Sequence, residues 1–216
     1  MSIVQTVAEE MRMRVIRLEL DPFGTNAYLV ICRETGDSIL VDAPGETKVI
    51  LAQLKGTNPR YILLTHSHAD HTLALEEVKD NLNIPVAAHS ADSATLPAQP
   101  DRLLSDGDTV QCGRLGIKVL HTPGHTPGSL CFLVGERLIC GDTLFPGGPG
   151  KTASPADLQQ IIRSITEKIF TLPGDTALYP GHGGFTRVQT EQAQYVQFAS
   201  RPPDPDLCGD VTWLGQ

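Results

Sequence analysis

The segment that most constrains this chain is a cluster of metal-binding side chains directly after a short apolar run. Residues 61–64 read Tyr-Ile-Leu-Leu, typical of a strand buried on both faces, and His66, His68, Asp70 and His71 follow it. On a helix, His66 and His68 would diverge by about 200°, whereas alternate positions of an irregular loop can converge on one ion. Because open α/β sheets place their ligands at the carboxyl ends of strands, the cluster predicts a metal site at a sheet edge.

Three further potential ligands lie in turns rich in Gly and Pro, each behind another apolar segment. They are His125 in HTPGHTPG, Asp142 in CGDT and His182 in YPGHG. Such turns let the backbone bend, while the strand before them fixes the position of the side chain. With the first cluster they supply five imidazoles and two carboxylates, a set that suits zinc, with iron and manganese as competitors. Of the remaining histidines, we interpret His89 as structural and His121 as either structural or a neighbour that supports a ligand.

Composition argues against several classes of partner. The 216 residues carry a formal charge of −8 and have no Lys/Arg cluster beyond residues 12–17, so the basic stripe that tracks a nucleic-acid backbone is missing. Residues 1–10 are acidic where a signal peptide would be positive, and no apolar stretch approaches the ~20 residues of a membrane span. Five cysteines without a C-x-x-C pair predict free thiols. We expect a cytoplasmic protein with no nucleic-acid or membrane partner.

Apolar periodicity and turn residues predict one domain over residues 1–200 and a flexible tail over residues 201–216. The predicted strands are Arg14–Leu20, Ala27–Ile31, Ser38–Val41, Tyr61–Leu64, Ile84–Ala88, Thr109–Cys112, Gly116–Leu120, Ser129–Val134, Leu138–Ile139 and Ala177–Tyr179. The predicted helices are Glu46–Leu54, Leu73–Leu82, Ala156–Phe170 and Gln189–Phe198.

The order H-x-H-x-D-H, His, Asp, His is similar to that of the metallo-β-lactamase fold superfamily of metallohydrolases, and the match runs from Asp42 to His182. The resemblance implies an α/β four-layer αβ/βα sandwich, with two mixed sheets packed face to face and helices outside. It also implies a shallow site for two divalent metal ions, Zn²⁺ foremost, at one edge of the sandwich.

The same resemblance assigns a role to each candidate ligand. His66, His68 and His125 would hold the first ion, and Asp70, His71 and His182 the second. Asp142 would bridge the two ions, which in binuclear hydrolases lie about 3.5–4 Å apart. Asp42 would orient a ligand imidazole through its second nitrogen. The nucleophile would be a hydroxide held between the ions and oriented by Asp70.

Within the superfamily, the glyoxalase II group resembles this chain most, in particular its short bacterial members. Residues 141–145 read Gly-Asp-Thr-Leu-Phe, and a Gly-rich stretch leads to Lys151, which aligns with a cation that binds the glutathione part of the substrate. The resemblance implies hydrolysis of a small thioester of the S-lactoylglutathione type. A β-lactam substrate is disfavoured, because Asp142 occupies the position where the main di-zinc β-lactamases have a Cys.

Two other activities stay open. A persulfide dioxygenase resembles the chain in its His-Ala-Asp-His segment and would use one iron bound by His66, His125 and Asp142. A lactonase or other ester hydrolase of the same fold would keep the metal centre and change the substrate. The sequence makes no prediction of oligomeric state.

Overall fold

A seven-stranded sheet forms the first half of the computed structural model, which describes residues 2–202 and 204–215. Its strands, neighbours in chain order, are β1 (Ile3–Glu9), β2 (Met13–Leu20), β3 (Thr25–Cys32), β4 (Asp37–Val41), β5 (Asn58–Leu63), β6 (Val86–His89) and β7 (Arg102–Leu104). Strands β1 to β4 pair antiparallel, whereas β4 to β7 pair parallel. The parallel half therefore brings the carboxyl ends of β4 and β5 to the same sheet edge.

A second, six-stranded sheet packs against the first. Its strands are β8 (Thr109–Cys112), β9 (Leu115–His121), β10 (Leu130–Val134), β11 (Arg137–Gly141), β14 (Ala177–Pro180) and β15 (Thr186–Arg187), in the order β15-β14-β11-β10-β9-β8. Only the β11 and β14 pair is parallel among these described strands. Between β11 and β14 in the sequence, β12 (Leu144–Phe145) pairs with β13 (Gly148–Pro149) in a small two-stranded ribbon.

The helices cover the outer faces of both sheets. They are α1 (Thr47–Leu54), α3 (Leu75–Leu82), α4 (Pro155–Ser164) and α5 (Val188–Ala199). The short helix α2 (Ala69–Thr72) lies at the sheet edge, and the chain also has a 3₁₀ turn over Ser90–Thr95 and a π turn over Ile165–Ile169. Among the described residues, none of the helices combines the length and apolarity that crossing a bilayer requires.

Alternation along the strands divides the apolar side chains among three cores. On β3, Tyr28 and Val30 face the core between the sheets, and Ala27 and Leu29 face the core under α1 and α3. On β10, Phe132 faces the core between the sheets while its neighbours face a third core under α4 and α5. Successive side chains of a strand point to opposite faces, so strands covered on both sides are apolar throughout. The predicted sandwich of two mixed sheets with helices outside is confirmed.

One predicted helix differs from the structure in its second half. Ser154 caps α4 by accepting a hydrogen bond from the backbone of Asp157 (3.2 Å), and the α-helix then ends at Ser164, where the π turn begins. The Thr166 hydroxyl donates to the carbonyls of Ile162 and Arg163 at 2.8 and 3.2 Å. A side-chain hydroxyl that donates to helix carbonyls in this way competes with the backbone hydrogen bonds of the α-helix, which favours an irregular turn here.

The last segment also differs from the sequence prediction of a flexible tail. Trp213 is fully buried, and its backbone N–H donates to the carbonyl of Gly147 at 2.7 Å. Its ring lies 5.3 Å from those of Tyr195 and Phe198 on α5. Burial of the large apolar indole holds the segment around Trp213 against the domain, although the segment is rich in Pro and Asp.

Strand β1 was not predicted from the sequence either.

Candidate metal centre

All seven predicted ligands converge at one edge of the sandwich, because each follows the end of a strand. The first ligand loop (residues 65–71) leaves β5, and the second ligand loop (residues 122–128) joins β9 to β10. Asp142 follows β11 and His182 follows β14, the two parallel strands of the second sheet. The centre therefore lies where the carboxyl ends of strands from both sheets meet, as in other α/β proteins.

Three imidazoles form the first group of the centre. The Nε2 atom of His66 lies 3.1 Å from Nδ1 of His68, and the Nε2 atom of His125 lies 2.9 Å from the same nitrogen. One ligand atom from each of the three residues lies within 4.8 Å of the others. Three ring nitrogens this close and facing one another form the nitrogen-rich half of a zinc-type site.

Asp70, His71 and His182 form a second group within the same 4.8 Å limit. The Nε2 atom of His182 lies 3.1 Å from Oδ2 of Asp70. Asp142 lies between the groups, with its Oδ2 atom 3.6 Å from Nε2 of His125 and 3.7 Å from Nε2 of His182. A third group, His66, His71 and Asp142, overlaps the other two. The structure thus brings all seven residues together, with the predicted bridging carboxylate between the two predicted sets.

Hydrogen bonding among the donor side chains leaves two buried donor atoms without a partner, as expected at a metal site. Nε2 of His71 and Oδ1 of Asp142 are buried, and neither has a hydrogen-bond partner among the described residues. Buried polar atoms are nearly always satisfied, so two such atoms 3.2 Å apart mark a place for a cation. Two donor groups joined by a carboxylate fit a pair of divalent ions.

Hydrogen bonds on the far side of the rings select the nitrogen that faces the centre. Nδ1 of His71 donates to Oδ2 of Asp42 at 2.8 Å, and Nδ1 of His125 donates to the carbonyl of Lys151 at 2.8 Å. The carboxylate of Asp42 also accepts from the backbone N–H and the hydroxyl of Thr65, both at 2.8 Å. With Nδ1 engaged as a donor, Nε2 of each ring is left with a lone pair for a metal.

Burial and charge separate the imidazoles into two kinds. Burial lowers the pKa of His66 well below its ordinary value, and burial also lowers the pKa of His68. Burial acts in the same direction on His71, but the carboxylates of Asp42 and Asp142 outweigh it and raise the pKa of His71 to about 10. His66 and His68 are therefore neutral ligands at neutral pH, and His71 lies where a positive charge is strongly favoured.

The His182 turn is held from the other sheet, by residues that the sequence did not single out. The side-chain amide of Asn26 donates to the carbonyls of Pro180 and Gly183 at 3.0 and 3.2 Å, and its backbone N–H donates to the carbonyl of Gly181 at 2.7 Å. Asn26 is fully buried on β3. The only signal for it in the sequence is an amide side chain directly before the apolar run of residues 27–32.

Lys151 and the two other histidines lie outside the donor groups. The ammonium of Lys151 is exposed and lies 3.9 Å from Oδ2 of Asp210, so the main chain of this residue, not its side chain, contacts the centre. The rings of His89 and His121 stack on each other, with centroids 3.9 Å apart.

A four-layer sandwich with a His- and Asp-rich double site at the strand ends defines a class of metal-dependent hydrolase. The sequence matches the metallo-beta-lactamase superfamily over residues 20–182. The chain therefore belongs to this superfamily of metallohydrolases, and the family predicted from the ligand order is confirmed.

Two curated relatives match most of the chain. It is 36% identical over 204 residues to the probable metallo-hydrolase YqgX of Bacillus subtilis, which covers 84% of this chain and 96% of that protein. It is 37% identical over 162 residues to a hydroxyacylglutathione hydrolase of Anaeromyxobacter dehalogenans, covering 74% of this chain and 62% of that protein.

Two solved structures share the fold at similar identity. One is TTHA1623 in a di-iron-bound form, with 34% identity, a TM-score of 0.72 and coverage of 82% of this chain and 96% of that one. The other is the BLEG-1 B3 metallo-beta-lactamase, with 30% identity, a TM-score of 0.74 and coverage of 83% and 96%.

Proposed function

We propose that this protein hydrolyses small thioesters, with two divalent metal ions held by the seven donors. The observation that carries the proposal is the arrangement of these donors in two three-residue groups, with Asp142 lying between them and within reach of donors from both. A single redox iron on His66, His125 and Asp142 would leave the second group without a task. The similarity to a hydroxyacylglutathione hydrolase supports a thioester as the bond that is cleaved.

When bound, two such ions lower the pKa of a water between them and polarise a substrate carbonyl. The residues of the chain then orient the reactants. Asp70 and His182 are about one-third exposed and His68 is exposed, whereas His71 is fully buried, so the reacting face is the side of His68, Asp70 and His182. The carboxylate of Asp70 would accept a hydrogen bond from the attacking water and orient it. The thiol formed from the leaving group has a low pKa, so it can leave as a thiolate without a dedicated general acid.

The test measures thiol release from S-lactoylglutathione after reconstitution with Zn²⁺, Fe²⁺ or Mn²⁺. Asp70→Ala removes the carboxylate that orients water, so turnover falls by about 10²- to 10⁴-fold. The matched control is Asp80→Ala, which removes an exposed carboxylate from α3 and keeps full turnover.

Metal-loaded protein that releases no thiol from any of several small thioesters contradicts the proposal. The same protein is then given a lactone, a β-lactam, and glutathione persulfide in an oxygen electrode. Oxygen consumption with the persulfide identifies the dioxygenase, and ring opening identifies an ester or amide hydrolase of this fold.

A further inference from the structure

We propose that Asp92 is a positioning residue that holds the two ligand loops at the separation the metal centre needs. The inference rests on the metal centre of the proposed function, but not on the identity of the substrate. Asp92 lies in the 3₁₀ turn Ser90–Thr95, a segment that contributes no ligand, and its side chain is buried.

One carboxylate accepts hydrogen bonds from both ligand loops. Oδ2 of Asp92 accepts from the backbone N–H of Ser67 at 3.0 Å and from the hydroxyl of Thr126 at 2.8 Å. Its Oδ1 atom accepts from the backbone N–H of Gly128 at 2.7 Å. Ser67 lies between His66 and His68, so two of the three imidazoles of the first group flank one of the donors.

The second loop is tied just as closely to its ligand. Thr126 directly follows His125, and Gly128 closes the turn against the carboxylate. A Cβ on Gly128 would lie 2.5 Å from Cγ of Asp92, so glycine is what allows this approach. The three imidazoles of the first group therefore depend on backbone that is fixed to the same side chain.

The segment around Asp92 has a second attachment to the same loop. His89, which precedes the turn, stacks on His121 with an interplanar angle of 12°. Nε2 of His121 lies 2.9 Å from the carbonyl of Pro127 and donates to it. On the other side, the hydroxyl of Thr95 donates to that of Ser67 at 2.8 Å. Residues 89–95 thus connect the two ligand loops at more than one point.

The chemistry of the site requires a carboxylate rather than an amide. All three partners of Asp92 donate hydrogen, and only an ionised carboxylate offers acceptors on both oxygens. In Asp92→Asn the NH₂ group must face either Gly128 or the pair of Ser67 and Thr126. Either choice sets donor against donor and pushes one ligand loop away.

The experiment compares Asp92→Asn with Asp101→Asn by chelator competition. Asp101 makes the same kind of contact, accepting from the backbone N–H of Val86 at 2.8 Å, but on a segment remote from the ligands. We expect the ion held by the first group, His66, His68 and His125, to bind about 10- to 100-fold more weakly in Asp92→Asn. Asp101→Asn binds both ions as the wild type does. With saturating metal, kcat of Asp92→Asn falls because the ligand loops are displaced. KM is unchanged because Asp92 is buried and out of reach of a substrate.

A second pair of variants keeps the test decisive if Asp92→Asn does not fold. Thr126→Ser keeps the hydroxyl and retains wild-type affinity, whereas Thr126→Val removes it and weakens the same ion. Unchanged metal affinity in Asp92→Asn or Thr126→Val, even with a lowered unfolding temperature of the metal-free protein, overturns the inference. Because affinity is measured without substrate, wild type that binds metal but cleaves no thioester ends the thioester proposal alone.

Discussion

At the scale of single residues, the metal centre depends on a glycine without a side chain as much as on the donor side chains themselves. Gly181 precedes His182, and a Cβ there would lie 2.2 Å from Oδ1 of Asp142 and 2.5 Å from Cε1 of His71. His71 is fully buried and so is the Oδ1 atom of Asp142, so neither can move aside cheaply.

Gly181→Ala is therefore expected to displace Asp142 or His71 and to lower metal content and turnover by at least about tenfold. The control is Gly184→Ala in the same turn, where a Cβ meets no atom within 4 Å. Metal analysis after desalting measures the difference. Full metal content in Gly181→Ala would show that the turn lies farther from the donors than in this structure.

Thiol reactivity is a second residue-scale prediction. Cys32, Cys112, Cys131 and Cys140 are buried, and Cys208 is exposed. Burial raises the pKa of Cys131 to about 11 and that of Cys112 to about 12, so these thiols stay protonated at neutral pH and are poor nucleophiles. Burial also acts to raise the pKa of Cys32, but hydrogen bonds with Thr35 outweigh it and lower that pKa, so the inaccessibility of this thiol is what protects it. A disulfide reagent should titrate one thiol, Cys208, in the native protein and all five after denaturation. Rapid reaction of a second thiol in the native state contradicts this burial.

At the scale of elements, the segment after α5 belongs to the domain. Trp213 fills a core shared with α4 and α5, so its removal leaves a cavity that rigid helices cannot close. Trp213→Ala is expected to lower the free energy of unfolding by about 3–5 kcal/mol. Leu214→Ala, at a side chain that is half exposed, should change it by less than about 0.5 kcal/mol. Denaturant titration of both variants checks the prediction, and equal effects would contradict it.

The elements also show how far sequence reasoning reaches. Strand β3 and the apolar end of β5 were predicted because strands covered on both faces are apolar, whereas residues 58–60 of β5 were missed because they are mostly polar and largely exposed. The ligands were predicted because each follows an apolar strand end. Strand β1 was missed because most of it is exposed on both faces and carries no alternation. Asn26 and Asp92 were missed for another reason. Most of their partners are backbone groups, all of them in distant segments, and nothing near them in the sequence marks such contacts.

At the scale of the whole molecule, the surface near the centre bears on the choice of substrate. The Lys151 ammonium is exposed and faces Asp210, and exposed ion pairs contribute up to about 1 kcal/mol. If Lys151 binds the glutathione part of a substrate, Lys151→Ala should raise KM by no more than about fivefold. Its metal content should not change, because the contact with His125 uses the carbonyl. Lys55→Ala, an exposed lysine after α1, is the control, and equal KM values in both variants would remove Lys151 from substrate binding.

The most direct test of the account is the number of metal ions bound per chain. We predict two ions in the reconstituted wild type, because the donors form two groups around Asp142. We predict one ion in Asp70→Ala, because that change removes one of the three donors of the second group and leaves the three imidazoles of the first. A wild type that binds a single ion under all conditions, with Asp70→Ala binding it equally well, would contradict the binuclear centre.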